Sequence, residues 1–205
     1  GANPEGRLIV PPLVGPEIPG EKKYRMGDCI LSGLIPQIYP FRNMAKKIRV
    51  CMLTQYNGRD ADYTIEERVN AVYVRDDLRE KVEQDLALLF PAQEVEVEEV
   101  IQVPSLLHYK ATIYLELDSE IDAEGVRNAL RHMPHVRVSP DGVSSTYDIN
   151  LARSISGSLP PITVFGGCVQ VRGRSVRIVS ALYYRQVAVL PNIDAVRMLG
   201  RSMDP

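Results

Sequence analysis

Apolar positions along the chain follow two rhythms. Between Asp76 and Phe90, Leu78, Val82, Leu86 and Leu89 recur at three- and four-residue spacing. Asp76 and Asp77 sit where a helix N-terminus favours acids and Pro91 stops the run, so the spacing predicts an amphipathic helix. Asp122 to Met133 repeats the rhythm through Val126, Ala129, Leu130 and Met133, with Asp118 and Ser119 ahead of it as capping candidates. Asp194 to Arg201 predicts a closing helix. The other rhythm is alternation or short apolar runs, the mark of strands: Lys47 to Leu53, Val95 to Val103, Ala111 to Leu117, Val136 to Val138, Pro161 to Phe165, Cys168 to Val171 and Val176 to Tyr184. Asn57-Gly58 marks a turn, followed by a polar loop to about Tyr63.

The start of the chain reads differently. Pro4, Pro11, Pro12, Pro16 and Pro19 surround Leu8-Ile9-Val10, so residues 1–20 predict one short strand and a proline-rich arm, and residues 21–205 a single domain. The apolar run Ile30 to Ile38 predicts a strand end turning into a helix, kept short or kinked by Pro36 and Pro40. Strands outnumber helices and connections are short. The expected fold is α+β, a mixed and mostly antiparallel sheet with helices packed on one face. No internal repeat is visible.

Composition narrows the function classes. The 205 residues are 45% apolar and 24% charged, and 24 Lys+Arg against 26 Asp+Glu leave a formal charge of -2 without a basic block, so nucleic acid is not an expected partner. No apolar stretch nears the roughly 18 residues of a membrane span. The first residues lack the charged-then-apolar order of a signal peptide, which makes a cytoplasmic location the expectation. Cys29, Cys51 and Cys168 are odd in number and lack CxxC spacing, so they read as reduced thiols, Cys51 and Cys168 as core thiols within apolar strands.

Three ordered segments resemble the catalytic domain of the glyceraldehyde-3-phosphate / aspartate-semialdehyde dehydrogenase superfamily, the archaeal-type glyceraldehyde-3-phosphate dehydrogenases most of all. Asp28-Cys-Ile-Leu-Ser-Gly-Leu34 is similar to the Ser-Cys-Asn-Thr-Thr-Gly-Leu around that family's nucleophile. Val103 to Leu117 resembles its Val-Pro-Thr-Thr-Leu-Met-His-Met-His strand. Ala181 to Gly200 resembles its Leu-Tyr-Tyr-Phe-Gln-Ala-Val tail. The departures are equally plain. No strand-GxGxxG-helix unit exists in the chain, so no cofactor is expected on it, and NAD(P) enters only if a Rossmann partner exists. Ile30 replaces the Asn after the nucleophile, and the helix at 76–90 replaces a His-His-Gly-Pro loop.

The resemblance implies roles. Cys29 would be a nucleophile stabilised by helix amides, though Asp28 beside it raises the thiol pKa. The family's two base positions fall on Tyr109 and Ala111. His108 is one residue off and therefore on the opposite strand face, so it acts as a base only if a β-bulge restores its register; otherwise it is a surface or interface histidine. Tyr109 is a ligand-binding candidate, and Arg59 and Arg153 are the counterparts of arginines that hold a substrate phosphate or carboxylate, solvated surface arginine being the alternative. His132 and His135 flank Pro134 at a helix end and lack a third partner for a metal. The Glu94-Glu96-Glu98-Glu99 run is one polar strand face, and Arg172, Gly173, Arg174 and Arg177 fit a hairpin turn. Two expectations follow. One is a homodimeric, non-catalytic module that pairs through its sheet and binds a peptide or small molecule near Cys29, His108 and Arg153, such as a biosynthetic helper. The other is the catalytic half of an NAD(P)-dependent aldehyde dehydrogenase whose Rossmann half lies on another chain or has been removed.

Overall fold

Four long strands, β3 (Ala45–Gln55), β5 (Glu94–Val103), β6 (His108–Leu117) and β10 (Ser175–Tyr183), carry the architecture in a computed structural model that describes residues 6–13, 23–55, 72–104, 108–140 and 160–201. Shorter strands are β1 (Arg7–Ile9), β2 (Tyr24–Met26), β4 (Tyr73–Val74), β7 (Val136–Ser139), β8 (Ile162–Phe165) and β9 (Gln170–Arg172). Eight of these form one sheet in the order β4-β5-β3-β6-β10-β8-β7, with β9 paired to β10. The β3–β5 and β7–β8 pairs are parallel and the others antiparallel, which is the mixed, mostly antiparallel sheet that the alternation predicts. β1 and β2 form a separate parallel pair.

Period-two alternation gives the sheet one apolar and one polar face. Ile48, Val50 and Met52 of β3, Val97 and Val100 of β5, Ala111, Ile113 and Leu115 of β6, and Val176, Ile178 and Leu182 of β10 are all buried on the same side. The helices cover that side: α1 (Cys29–Ile38), α2 (Asp76–Leu89), α3 (Ala123–Arg131) and α4 (Tyr184–Arg201). The other face carries charge. Lys47 pairs with Glu94 at 2.8 Å and Glu96 at 3.0 Å, and Arg49 with Glu98 at 2.8 Å, so the glutamate run of β5 is a solvated strand face.

α1 is apolar all round, which fits a helix enclosed in the core rather than one lying on it. Its close approach to the sheet needs Gly33, where a Cβ would stand 2.6 Å from Leu182 Cδ1. Pro36 is accommodated inside α1, and a 3-10 turn over Tyr39–Phe41 follows it.

Three boundaries differ from the sequence reading. α3 is capped by Asp122, whose carboxylate accepts from Gly125 N at 2.7 Å, while the Asp118 amide is taken by the Met44 carbonyl. α4 starts at Tyr184, ten residues before the expected helix (194 − 184), and runs through Pro191. The Asn192 side-chain amide donates to the Ala188 carbonyl at 2.6 Å, which adds a donor on the turn that Pro191 interrupts. Cys168 lies in a 3-10 turn over Gly166–Cys168, and β9 starts at Gln170.

Candidate functional site

Cys29 is the first residue of α1, held there by Asp28 as N-cap. One carboxylate oxygen of Asp28 accepts from the amides of both Ile30 and Leu31 at 3.0 Å, and the other receives the Lys81 ammonium of α2 at 2.6 Å. The Cys29 sulfur meets the Tyr109 hydroxyl of β6 at 3.4 Å. Tyr109 shares the helix-covered face of β6 with Ala111 and Ile113. Its ring stacks on Tyr184 at 6.3 Å, and Tyr184 meets Tyr183 edge-on at 6.3 Å, so three half-buried tyrosines line this end of the sheet. Arg185 closes the row by donating to the Tyr184 hydroxyl at 2.9 Å.

This geometry keeps the sulfur protonated. Burial pushes the Cys29 thiol up; the Tyr109 hydrogen bond opposes that, and the Asp28 charge adds to it. Asp28 also accepts from the first-turn amides of Ile30 and Leu31, while the backbone amides of Cys29 and Ile30 favour the thiolate and oppose the rise. Burial likewise pushes the Tyr109 phenol well above its ordinary value, with the Cys29 contact adding to the effect. A phenol so placed shares a hydrogen bond with the sulfur and is no general base for its proton.

Of the sequence candidates, the fold brings Cys29 and Tyr109 together. His108 lies on the other face of β6, its ring 5.8 Å from that of Tyr183, and burial lowers its pKa. The β6–β10 register runs unbroken from Glu116↔Ser175 to His108↔Tyr183, so no bulge between these strands re-aims it. Arg59 and Arg153 lie outside the described residues. The reading of Cys51 and Cys168 as core thiols is corrected: both are half-buried. Cys51 is on the polar face and donates to Glu98 at 2.8 Å. Burial and that carboxylate push its pKa up to about 12. His135 is bound to Asp194 at 2.7 Å and His132 to the Asn128 carbonyl at 2.7 Å. Among the described residues no three His, Cys, Asp or Glu side chains gather as a metal site. No helix there is long and apolar enough to cross a membrane.

Lys81 and Tyr184 were not among the sequence candidates. The Tyr183-Tyr184 pair within the third family-like segment was the available signal for one, and nothing local marks Lys81, which is 53 residues from Asp28.

Against known proteins, no family model matches the chain. Glyceraldehyde-3-phosphate dehydrogenase 2 of Methanosarcina acetivorans is 25% identical over 185 residues, 85% of this chain and 53% of the relative. Aspartate semialdehyde dehydrogenase II from Vibrio cholerae aligns with a TM-score of 0.68 at 14% identity, over 88% of this chain and 63% of that one. The chain has the catalytic-domain fold of the glyceraldehyde-3-phosphate / aspartate-semialdehyde dehydrogenase superfamily. The Vibrio enzyme complexed with ASA gives a TM-score of 0.71 at 14% identity, covering 96% of this chain and 68% of that one. This chain thus spans about half the length of its archaeal relative. Gly27, Gly33 and Gly166 each face close protein atoms, those of Val10, Leu182 and the Ser139 carbonyl, whereas a Cβ at Gly167 or Gly173 would meet nothing within 4 Å.

Proposed function

We propose that the chain is a non-catalytic binding module built on the dehydrogenase catalytic-domain fold, homodimeric, and taking a peptide or small molecule at the tyrosine-lined corner beside Cys29. One observation carries this reading: Cys29 faces a phenol where a base would be needed, and burial together with the Asp28 charge disfavours its thiolate. Attack on an aldehyde requires loss of the thiol proton, and the described neighbours of the sulfur offer no acceptor for it. Tyrosines combine a large contact area with a polar tip at low entropic cost, which suits them to holding a ligand.

The exposed apolar stripe of α4 favours a second reading. Val189 (53% exposed), Ile193 (40%) and Val196 (71%) recur at i, i+4 and i+7, as they would if another domain covered them. A cofactor-binding half on another chain is one such cover. Incubation with an aldehyde and NAD or NADP, followed by intact mass and peptide mapping, separates the two. The binding-module reading expects no thioacyl adduct on Cys29. It also expects a displayed peptide library to yield binders that Tyr184→Ala abolishes and Cys29→Ser spares. A cofactor-dependent adduct on Cys29 overturns it.

A further inference from the structure

The polar face of the sheet holds a feature that the Cys29 corner does not explain. Registers across β3, β6, β10 and β9 align Arg49, Tyr114, Arg177 and Gln170 in one row, and Glu116, Ser175 and Arg172 in the next. These side chains line a cavity of about 280 Å³ beside the β9–β10 hairpin, whose tight turn is made by Gly173 at φ +59°.

The charges in this cavity are unevenly satisfied. Arg49 lies over the Tyr114 ring at 5.1 Å and is paired with Glu98 at 2.8 Å. Glu116 is engaged by the Ser175 hydroxyl, which reaches its two oxygens at 2.7 and 2.8 Å. Among the described residues, the side chains of exposed Arg172 and half-buried Arg177 have neither an ion-pair nor a hydrogen-bond partner. The Nε of Arg177 is buried with no acceptor. A guanidinium cannot shed its charge to relieve this, and an unmet buried donor is destabilising. Three guanidiniums face the cavity against the carboxylates of Glu116 and Glu98, leaving an excess of one positive charge before any ligand enters.

We infer that this cavity is a binding site for a compact dianion, a phosphate group or a small dicarboxylate, held by the forks of Arg172 and Arg177 with Tyr114 and Gln170 alongside. The planar fork matches both anions bidentately. A volume of about 280 Å³, just below the usual range of small-molecule sites, suits an occupant the size of a phosphate or a short diacid.

The test is thermal and calorimetric titration of the full chain with inorganic phosphate and, separately, succinate, each compared with chloride at matched ionic strength. Saturable stabilisation by either anion beyond that of chloride is expected, and the stronger of the two identifies the ligand class. Arg172→Gln and Arg177→Gln should each weaken binding at least tenfold, while Arg174→Gln, at the exposed hairpin tip, should change it less than twofold. Arg177→Met supplies a readout that a merely structural arginine would not give. Without anion the variant should melt at or above the wild-type temperature, because it removes an unpartnered donor, and with anion the order should reverse. Equal responses to chloride and to both anions overturn the proposal, as does loss of binding in Arg174→Gln equal to that in Arg177→Gln. So does an anion-insensitive wild-type dimer that Arg177→Met dissociates, which would assign the arginines to a second copy's carboxylates.

Discussion

Asp28 is the residue whose removal separates the structural from the chemical role of the Cys29 corner. Its carboxylate caps two amides of α1 at 3.0 Å and pairs with Lys81 at 2.6 Å. Loss of a side-chain cap costs about 1 kcal/mol. The ion pair adds at most roughly 0.5 kcal/mol, because the two side chains are 28% and 50% exposed and solvent screens them. Asp28→Ala should therefore destabilise by about 1.5 kcal/mol, which for a domain of this size lowers Tm by roughly 3–6 °C. Asp28→Asn keeps a capping oxygen and loses the charge, so its Tm should fall by no more than about 2 °C. The thiol responds too. Both variants remove a negative charge from beside Cys29, and Ala also releases the Ile30 and Leu31 amides, so the pH midpoint of Cys29 alkylation should fall in Asn and fall further in Ala. Scanning calorimetry with alkylation kinetics across pH measures both effects. Equal Tm losses in the two variants would refute the capping argument, and unmoved alkylation midpoints would refute the electrostatic one.

Gly33→Ala places a Cβ 2.6 Å from Leu182 Cδ1, both within the core. The overpacking, about 2 kcal/mol, outweighs the roughly 1 kcal/mol gained in helix propensity, so urea unfolding should show a net loss near 1 kcal/mol, and a gain would contradict the tight α1–β10 packing. Asp85→Ala removes the bidentate partner of Arg25, whose contacts are 2.5 and 3.0 Å in a pair 6% and 21% exposed. That should cost roughly 3 kcal/mol in the same assay, and a loss under about 1 kcal/mol would show the pair to be dispensable. Alkaline pH supplies a linkage test. The Cys51 thiol is pushed from 9.0 up to about 12 in the fold, so its contribution to stability is complete below pH 9.0 and is lost as pH rises toward 12. Partial exposure keeps that slope shallow. Cys51→Ala should flatten it, and parallel wild-type and variant profiles would count against the Glu98 contact.

Local pattern made α2 legible: its apolar positions, its acidic first turn and Pro91 all act within one stretch of chain, and the observed helix is Asp76–Leu89. β5 and β6 were legible for the same reason, because alternation encodes two faces. The start of α4 was not. Pro191 and the β-branched residues before it argue locally against a helix there, and the packing of α4 on α1, visible in buried Val187 and Ala195, overrides that preference. The candidate site was half legible. Cys29 and Tyr109 came from resemblance, and their contact spans 80 residues. The Asp28–Lys81 pair spans 53 residues, and the row of Arg49, Tyr114 and Arg177 exists only once two strand registers are fixed. Register across a sheet is a property of pairing, which single-segment pattern does not contain.

The central claim is that Cys29 is held as a thiol and not armed as a nucleophile. The pH–rate profile of its alkylation by iodoacetamide in the wild-type chain, mapped by peptide mass against Cys51 and Cys168, tests it most directly. The account predicts a Cys29 midpoint above that of an ordinary thiol, near 9.0, and no rate advantage over the other two at neutral pH. A midpoint well below the ordinary value, with selective fast labelling of Cys29, would contradict it and restore the dehydrogenase reading.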